Sequence, residues 1–285
     1  MNQPATAPCM QHPQEELLRS ERIPHIWCSG CGIGTVFSCV LASIRKTEYP
    51  LDDVAMVSGI GCTGRMAGYI KLDSYHTTHG RAIPFATGLK LARPQGKVLV
   101  ASGDGDLIAI GGNHFIHACR RNVDMTYIAM DNEVYGMTKG QASPTTPTDW
   151  DHSKLTPHGP GVRPFKPAAL ALAAGAPWIA RGYSGNPNQI AKLIADAIEF
   201  PGFSFLHIMS QCITFCPEQT DWKAIVHERE EPALVNADDA AKLFLHEDGF
   251  QTGLLYSEPR GTWPPAAQNT VVTGALDQLA RSFRV

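Results

Sequence analysis

An α/β architecture, a mainly parallel sheet with helices on both faces, is the fold class this sequence predicts. Its strand-like segments are short apolar runs such as VAMVS (54–58), KVLVA (97–101) and FSFLHIM (203–209), the pattern of strands buried on both faces. The runs alternate with stretches of helical periodicity, as parallel strands require, because each pair needs a crossover between them. Glycine, acidic and cysteine motifs gather just after the runs, where open α/β sheets bind their ligands.

Residues 1–25, with their Pro and Gln and no periodicity, read as an arm. Residues 32–49 carry Val36, Val40, Leu41 and Ile44 at helical intervals and predict a helix. Residues 54–58 predict a buried strand ending in Gly59-Ile60-Gly61-Cys62. Residues 81–93 predict a helix stopped by Pro94. The same unit then recurs: a strand at 97–101, the turn Ser-Gly-Asp-Gly-Asp, a helix through 114–121, and a strand at 125–130 followed by Asp131-Asn132. Farther on, a helix is expected at 167–174, a strand at 178–181, a helix at 187–200 and a strand at 203–209. The segment 141–167 is rich in Pro, Thr, Gly and His; a loop of that length is a functional candidate. After the charged stretch 227–231, a helix (238–246), a short strand (253–257) and an extended tail are expected. The division expected is a main domain at 1–230 and a partner-contacting extension at 231–285. No repeat of solenoid type is present.

A chain of 285 residues can bury a sizeable core. With 44% hydrophobic and 18% charged residues it is globular and not disordered. A net charge of −3 provides no basic field for nucleic acid or an anionic membrane. No apolar run approaches the ~18–20 residues of a membrane span, and the polar N-terminus lacks the apolar segment of a signal peptide. The expected location is the cytoplasm. There, grouped thiols among the eight cysteines point to metal or cluster ligation and not to disulfides.

Two constellations carry chemistry. The first is Gly103-Asp104-Gly105-Asp106, then, one helix and one strand later, Asp131-Asn132-Glu133-Val134-Tyr135-Gly136. Neighbouring parallel strands would bring both ends to one crevice. A carboxylate from Asp104, an amide oxygen from Asn132 and a nearby carbonyl suit Mg²⁺, which takes a few protein oxygens beside those of phosphate and water. Gly103 and Gly105 let backbone approach a diphosphate, and the helix after Asp106 could aim its first amides at it.

The second is Cys28-x-x-Cys31 before a helix, Cys62 after a strand and Cys212 after the last strand. Structural zinc usually takes two C-x-x-C pairs; one pair plus two single cysteines suits a [4Fe-4S] cluster better. A thioredoxin-like pair would leave Cys62 unexplained. Cys216 lies four residues beyond Cys212, and either could be the fourth ligand. Cys9, Cys39 and Cys119 read as small side chains without chemistry.

GDGD followed by DNEVYGMT resembles the thiamine-diphosphate signature. That resemblance implies Mg²⁺ held by Asp104, Asn132 and the carbonyl of Val134, with Gly103, Gly105, Asp106, Tyr135, Gly136, Met137 and Thr138 around the cofactor. The series WCSGCG, GIGCTGR, HTTHGRA, GDGD, DNEVYGMTKGQ and SQCITF, spanning 27–215, resembles the β subunits of 2-oxoacid:ferredoxin oxidoreductases. It implies a thiamine-diphosphate-binding fold and a [4Fe-4S] cluster on Cys28, Cys31, Cys62 and Cys212. The family often has Asn or Asp near Cys216, so a second thiol there is a departure.

The implied reaction is CoA-dependent oxidative decarboxylation of a 2-oxoacid with electrons to ferredoxin, or its CO₂-fixing reverse. An α subunit would supply the activating Glu and most substrate and coenzyme A contacts, which implies a heterodimer or a dimer of heterodimers.

His76 and His79 could be a metal pair or solvated loop residues; the family reading sets His79 at the cofactor and His76 near diphosphate or substrate. Arg65 and Lys139 are either surface cations or partners for a second substrate carboxylate. The latter reading favours 2-oxoglutarate over pyruvate or broad 2-oxoacid specificity. Two rival readings are a cluster-free thiamine decarboxylase and a zinc-stabilised scaffold without turnover.

Overall fold

The computed structural model describes residues 14–264. The start of the expected arm, with Cys9, and the expected tail beyond 264 lie outside the described residues.

In chain order the elements are α1 (Gly32–Lys46), β1 (Val54–Ser58), α2 (Met66–Tyr69), β2 (Asp73–His76), α3 (Ala82–Ala92) and β3 (Lys97–Gly103). They continue with α4 (Gly112–Arg121), β4 (Met125–Asp131), β5 (Val134–Tyr135), β6 (Gln141–Ala142), α5 (Pro167–Ala173), β7 (Trp178–Tyr183) and α6 (Pro187–Glu199). The last are β8 (Phe203–Met209), α7 (Trp222–Ile225), β9 (His227–Glu228), α8 (Ala237–His246) and β10 (Gln251–Ser257).

The main sheet runs β2-β1-β3-β4-β8-β7-β10-β9. Every pairing from β2 across to β7 is parallel. The mainly parallel sheet read from the sequence is therefore the observed one. Its cause is visible in β4: Tyr127 and Ala129 pack into the core on one face, Ile128 and Met130 into the core on the other. With both faces covered, no strand position is left for polar alternation. On one face α1 and α6 bring Val36, Val40, Ile190 and Ile194 onto the sheet. On the other, α3, α4, α5 and α8 bring Ala86, Phe115, Ala171 and Phe244.

Several local features differ from expectation. β3 runs two residues farther, taking Ser102 and Gly103 into the strand. The helix expected after the GDGD turn opens as a π-helical segment, Gly105–Ile110, before α4 begins. α1 ends at Lys46, ahead of the predicted 49. Beyond residue 231 the sheet continues, because β10 pairs antiparallel with β7. No helix among the described residues is long and apolar enough to cross a membrane.

Among the buried strand residues that break the apolar rule are Arg181 on β7 and His207 on β8. They are register partners across the sheet.

Candidate active site

The carboxyl ends of β1, β3 and β4 deliver three loops to one pocket. It collects the cofactor-binding residues expected from the sequence, Gly103 through Asp106 and Asn132 with Val134 through Thr138, together with His79. Close approach dictates two glycines. A Cβ on Gly105 would enter the Tyr135 ring, and one on Gly59 would overlap the Asp106 carboxylate.

Asp106 braces this pocket. Its Oδ1 accepts from the backbone N–H of Ile60 (3.0 Å) and Gly80 (2.8 Å) and pairs with His79 Nδ1 at 2.5 Å. Its Oδ2 accepts from Ser102 Oγ at 2.7 Å. Loops after β1, β2 and β3 are thereby tied to one buried carboxylate.

Asp104 is buried, and Thr145 Oγ1 lies 2.9 Å from its Oδ2. Burial, then the charge of Asp131, pushes its carboxyl up to about 7. Burial and the charges of Asp131 and Asp104 push Glu133 up to about 9. Among the described residues, the one ion-pair partner of these three carboxylates is His207, on Asp131. Uncompensated negative charge of this kind fits a divalent cation, which inverts the local preference for protonation. Asn132 Oδ1 meets Val134 N–H at 3.4 Å, a long contact that leaves the amide oxygen available. The Val134 carbonyl accepts from Gly136 N–H at 3.0 Å and keeps a second lone pair.

Cys28, Cys31, Cys62 and Cys212 line a second pocket with Trp27, Ile33 and Phe215. Trp27 Nε1 donates to the Cys62 carbonyl (2.8 Å), and Gly32 N–H to the Gln211 carbonyl (3.1 Å). These bonds draw three distant loops into one ring. Cys28 is exposed, Cys31 and Cys62 are partly covered and Cys212 is buried. Burial pushes the Cys31 thiol up to about 11 and raises Cys62 and Cys212, with neighbouring thiols adding to the effect. Metal loading must therefore displace protons.

No three His, Cys, Asp or Glu side chains among the described residues stand close enough to hold a single metal ion. Four thiols around one pocket suit a cluster held by four cysteinates. Cys216 does not line this pocket; it packs with Val134, Trp150 and Cys212, and its N–H donates to the Cys212 carbonyl at 2.8 Å.

The two pockets share a wall of Cys62, Asn132 and Gly136. A Cβ on Gly136 would lie 3.7 Å from Cys212 Sγ, 3.8 Å from Cys62 Sγ and 3.9 Å from Asn132 Nδ2. Gln219 joins the sides from behind: its Nε2 donates to the Asn132 carbonyl (2.8 Å) and its Oε1 accepts from Cys212 N–H (2.7 Å).

Three expected residues lie off the first pocket. Arg65 is exposed at the end of the short Thr63–Arg65 turn. His76 Nδ1 sits 3.1 Å from Ser58 Oγ. Lys139, in a left-handed conformation, lines a neighbouring cleft with His152, Lys154 and Phe215. Thr63, Thr145 and Gln219 were not singled out from the sequence. Thr63 stands inside GIGCTGR and could have been found there; Thr145 and Gln219 sit in segments with no motif.

Residues 56–208 match the family model described as thiamine pyrophosphate enzyme, C-terminal TPP binding domain. The 2-oxoglutarate synthase subunit KorB of Methanocaldococcus jannaschii is 48% identical over 204 residues, covering 72% of this chain and 75% of that one. Its counterpart in Archaeoglobus fulgidus is 44% identical over 224 residues, 79% of each chain. The 2-oxoacid:ferredoxin oxidoreductase 2 subunit beta of Aeropyrum pernix is 37% identical over 246 residues, 81% of this chain and 79% of that one. Among solved structures, 2-oxoglutarate:ferredoxin oxidoreductase from Magnetococcus marinus, with 2-oxoglutarate, coenzyme A and succinyl-CoA bound, is similar with a TM-score of 0.83 and 34% identity. The match covers 95% of this chain and 92% of that one.

Proposed function

Because the chain belongs to the β subunits of the 2-oxoacid:ferredoxin oxidoreductases, within the thiamine pyrophosphate enzymes, we propose that it holds thiamine diphosphate with Mg²⁺ in its first pocket and a [4Fe-4S] cluster in its second. The chain is an oxidoreductase subunit with an α partner; the cluster, metal, substrate and direction belong to the proposal. The observation that carries it is the wall of Cys62, Asn132 and Gly136 common to both pockets, which suits transfer of electrons from one to the other.

Thiamine diphosphate supplies the carbanion chemistry at the keto carbon of a 2-oxoacid, and the protein binds and orients it. Asp104, Asn132 and the Val134 carbonyl hold Mg²⁺. Gly103 and Gly105 admit the diphosphate against backbone, and Thr138 and Met137 stand at the rim. Asp106, through His79 and the Gly59–Gly61 loop, fixes the pocket's mouth. Cys28, Cys31, Cys62 and Cys212 ligate the cluster, and Cys216, which packs against Cys212 but does not line their pocket, does not.

Arg65, Lys139 and His76 lie at the margin of the site, where the α subunit would close it over substrate and coenzyme A. Two cations there suit the distal carboxylate of 2-oxoglutarate. Ferredoxin exchanges electrons at the exposed Cys28 side, in the cytoplasm. The reaction is oxidative decarboxylation with acyl transfer to coenzyme A, or its CO₂-fixing reverse.

The test is anaerobic purification of the complex with its visible spectrum and metal and thiamine content. A broad band near ~400 nm, about four irons per chain and bound thiamine are expected. Zinc without iron or thiamine overturns the reading; thiamine without iron from anaerobic cells replaces it with a cluster-free thiamine enzyme.

A further inference from the structure

Behind the first pocket, buried polar side chains continue into the far face of the sheet. His207 Nε2 lies 2.9 Å from Asp131 Oδ2, and Arg181 Nε donates to His207 Nδ1 at 3.3 Å. Arg181 Nη2 and Nη1 grip the two oxygens of Glu247 at 2.7 and 2.9 Å, and Nη1 also donates to the Gln251 carbonyl at 3.1 Å. The Arg181, Glu247, His207 and Asp131 side chains are each at most 8% exposed. Glu247 follows α8, so the line ends in the C-terminal segment.

The direction of these bonds is fixed by chemistry. A guanidinium only donates, so His207 Nδ1 must accept. The ring proton then sits on Nε2 and is donated to Asp131. Asp131 Oδ1 also accepts the Glu133 N–H at 3.0 Å and lies 2.7 Å from Thr145 Oγ1. The same Thr145 hydroxyl lies 2.9 Å from Asp104 Oδ2. A hydroxyl has one proton and cannot serve two carboxylates. With Asp131 supplied by His207 and by backbone, the Thr145 proton is free for Asp104. Without the His207 donor, Asp131 competes for it, and Asp104 Oδ2 is left facing a lone pair.

We propose that His207 is a positioning residue for the metal–diphosphate site, held in one tautomer by Arg181 and, through Arg181, by Glu247 of the C-terminal segment. The proposal rests on the reading of Asp104 as a Mg²⁺ ligand. Residues beyond 231 thereby complete a line of hydrogen bonds that ends at Asp104.

The experiment strips the intact complex of Mg²⁺ and thiamine diphosphate and titrates both back by calorimetry, with the iron–sulfur visible band as control for an intact fold. His207→Leu weakens binding by about tenfold or more, the usual effect of losing a buried partner of a metal ligand. His207→Gln, which keeps an N–H donor, stays within about threefold of wild type. In turnover, the Leu variant raises the KM for thiamine diphosphate and leaves kcat at saturation within about twofold.

A Leu variant that keeps its visible band and binds as wild type overturns the proposal, as does a Gln variant as weak as Leu, which would mean the ring matters only for packing. Should the Leu variant not assemble, Glu247→Gln decides: binding weakened about threefold or more supports the relay, and unchanged binding overturns it. Failure of the wild-type complex to bind Mg²⁺ and thiamine diphosphate is a different result, which removes the site reading itself.

Discussion

Asp104 lines the first pocket and Cys62 the wall it shares with the second, and the two sides are held in different ways. Around Asp104, the neighbouring carboxylates are fixed by side-chain partners: Thr145 between Asp104 and Asp131, His207 on Asp131, Ser102 and His79 on Asp106. Around the thiols, side chains reach the cysteines through backbone: Trp27 bonds to the Cys62 carbonyl, Gln219 to Cys212 N–H. The sulfurs themselves face apolar side chains. A hard cation needs oxygens aimed in advance, because water competes for it. A cluster needs four thiolates at the corners and dry walls between them. With both groups bound as proposed, one chain would meet both demands by orienting side chains on one side and loops on the other.

That contrast predicts that the two sides come apart under mutation. Cys31→Ser should have the largest effect: loss of the visible band and of most iron, with Mg²⁺–thiamine diphosphate affinity within about threefold of wild type. Loss of both cofactors together would break the comparison. Asp104→Ala should do the reverse, weakening Mg²⁺–thiamine diphosphate by about a hundredfold or more while iron content holds.

Gln219→Leu probes the join. It strands the buried Cys212 N–H, a loss of about 1–3 kcal/mol, and releases the Asn132 carbonyl. Iron retention and thiamine affinity should both drop, each by about tenfold. An effect on one side alone would show the pockets to be separately built.

The last prediction concerns pH. Asp104 moves from an ordinary 3.8 to about 7 in the metal-free fold. Below the lower value both folded and unfolded chains hold the proton. As pH rises from there towards about 7, only the unfolded chain releases it, so this group's stabilisation of the metal-free fold is lost over that window. Mg²⁺ needs the ionised form. Its affinity should therefore climb about tenfold per pH unit up to about 7 and then level off. A flat calorimetric profile between roughly pH 5.5 and 7.5 would sink the assignment.

Much of the candidate site was legible in the sequence because its parts are local. GDGD and DNEVYG each put several pocket-lining residues within a few positions, and the cysteine spacing separates one pair from two single thiols. The sheet was legible for a similar reason: strands buried on both faces leave uninterrupted apolar runs. What stayed hidden is non-local. Thr145 lies in a loop whose composition marked it as functional without naming a residue, and Gln219 joins Asn132 to Cys212 from a segment with no motif. Arg181 and His207 sit inside strands whose apolar neighbours carried the prediction, and their meaning depends on a pairing register that no single segment contains. The antiparallel arrival of β10 was equally invisible, since the orientation of a strand leaves no trace in its own composition.

The cysteine ring is graded from Cys212, buried, to Cys28, open to solvent. A cluster seated there has an inlet and an outlet. The corners at Cys62 and Cys212 abut the cofactor wall, and the corner at Cys28 faces outward. The outward corner is the shortest exit for an electron and also the first point dioxygen can reach. With a cluster bound as proposed, the opening that shortens the electron's exit would also admit the oxidant, and decay in air would begin on that side.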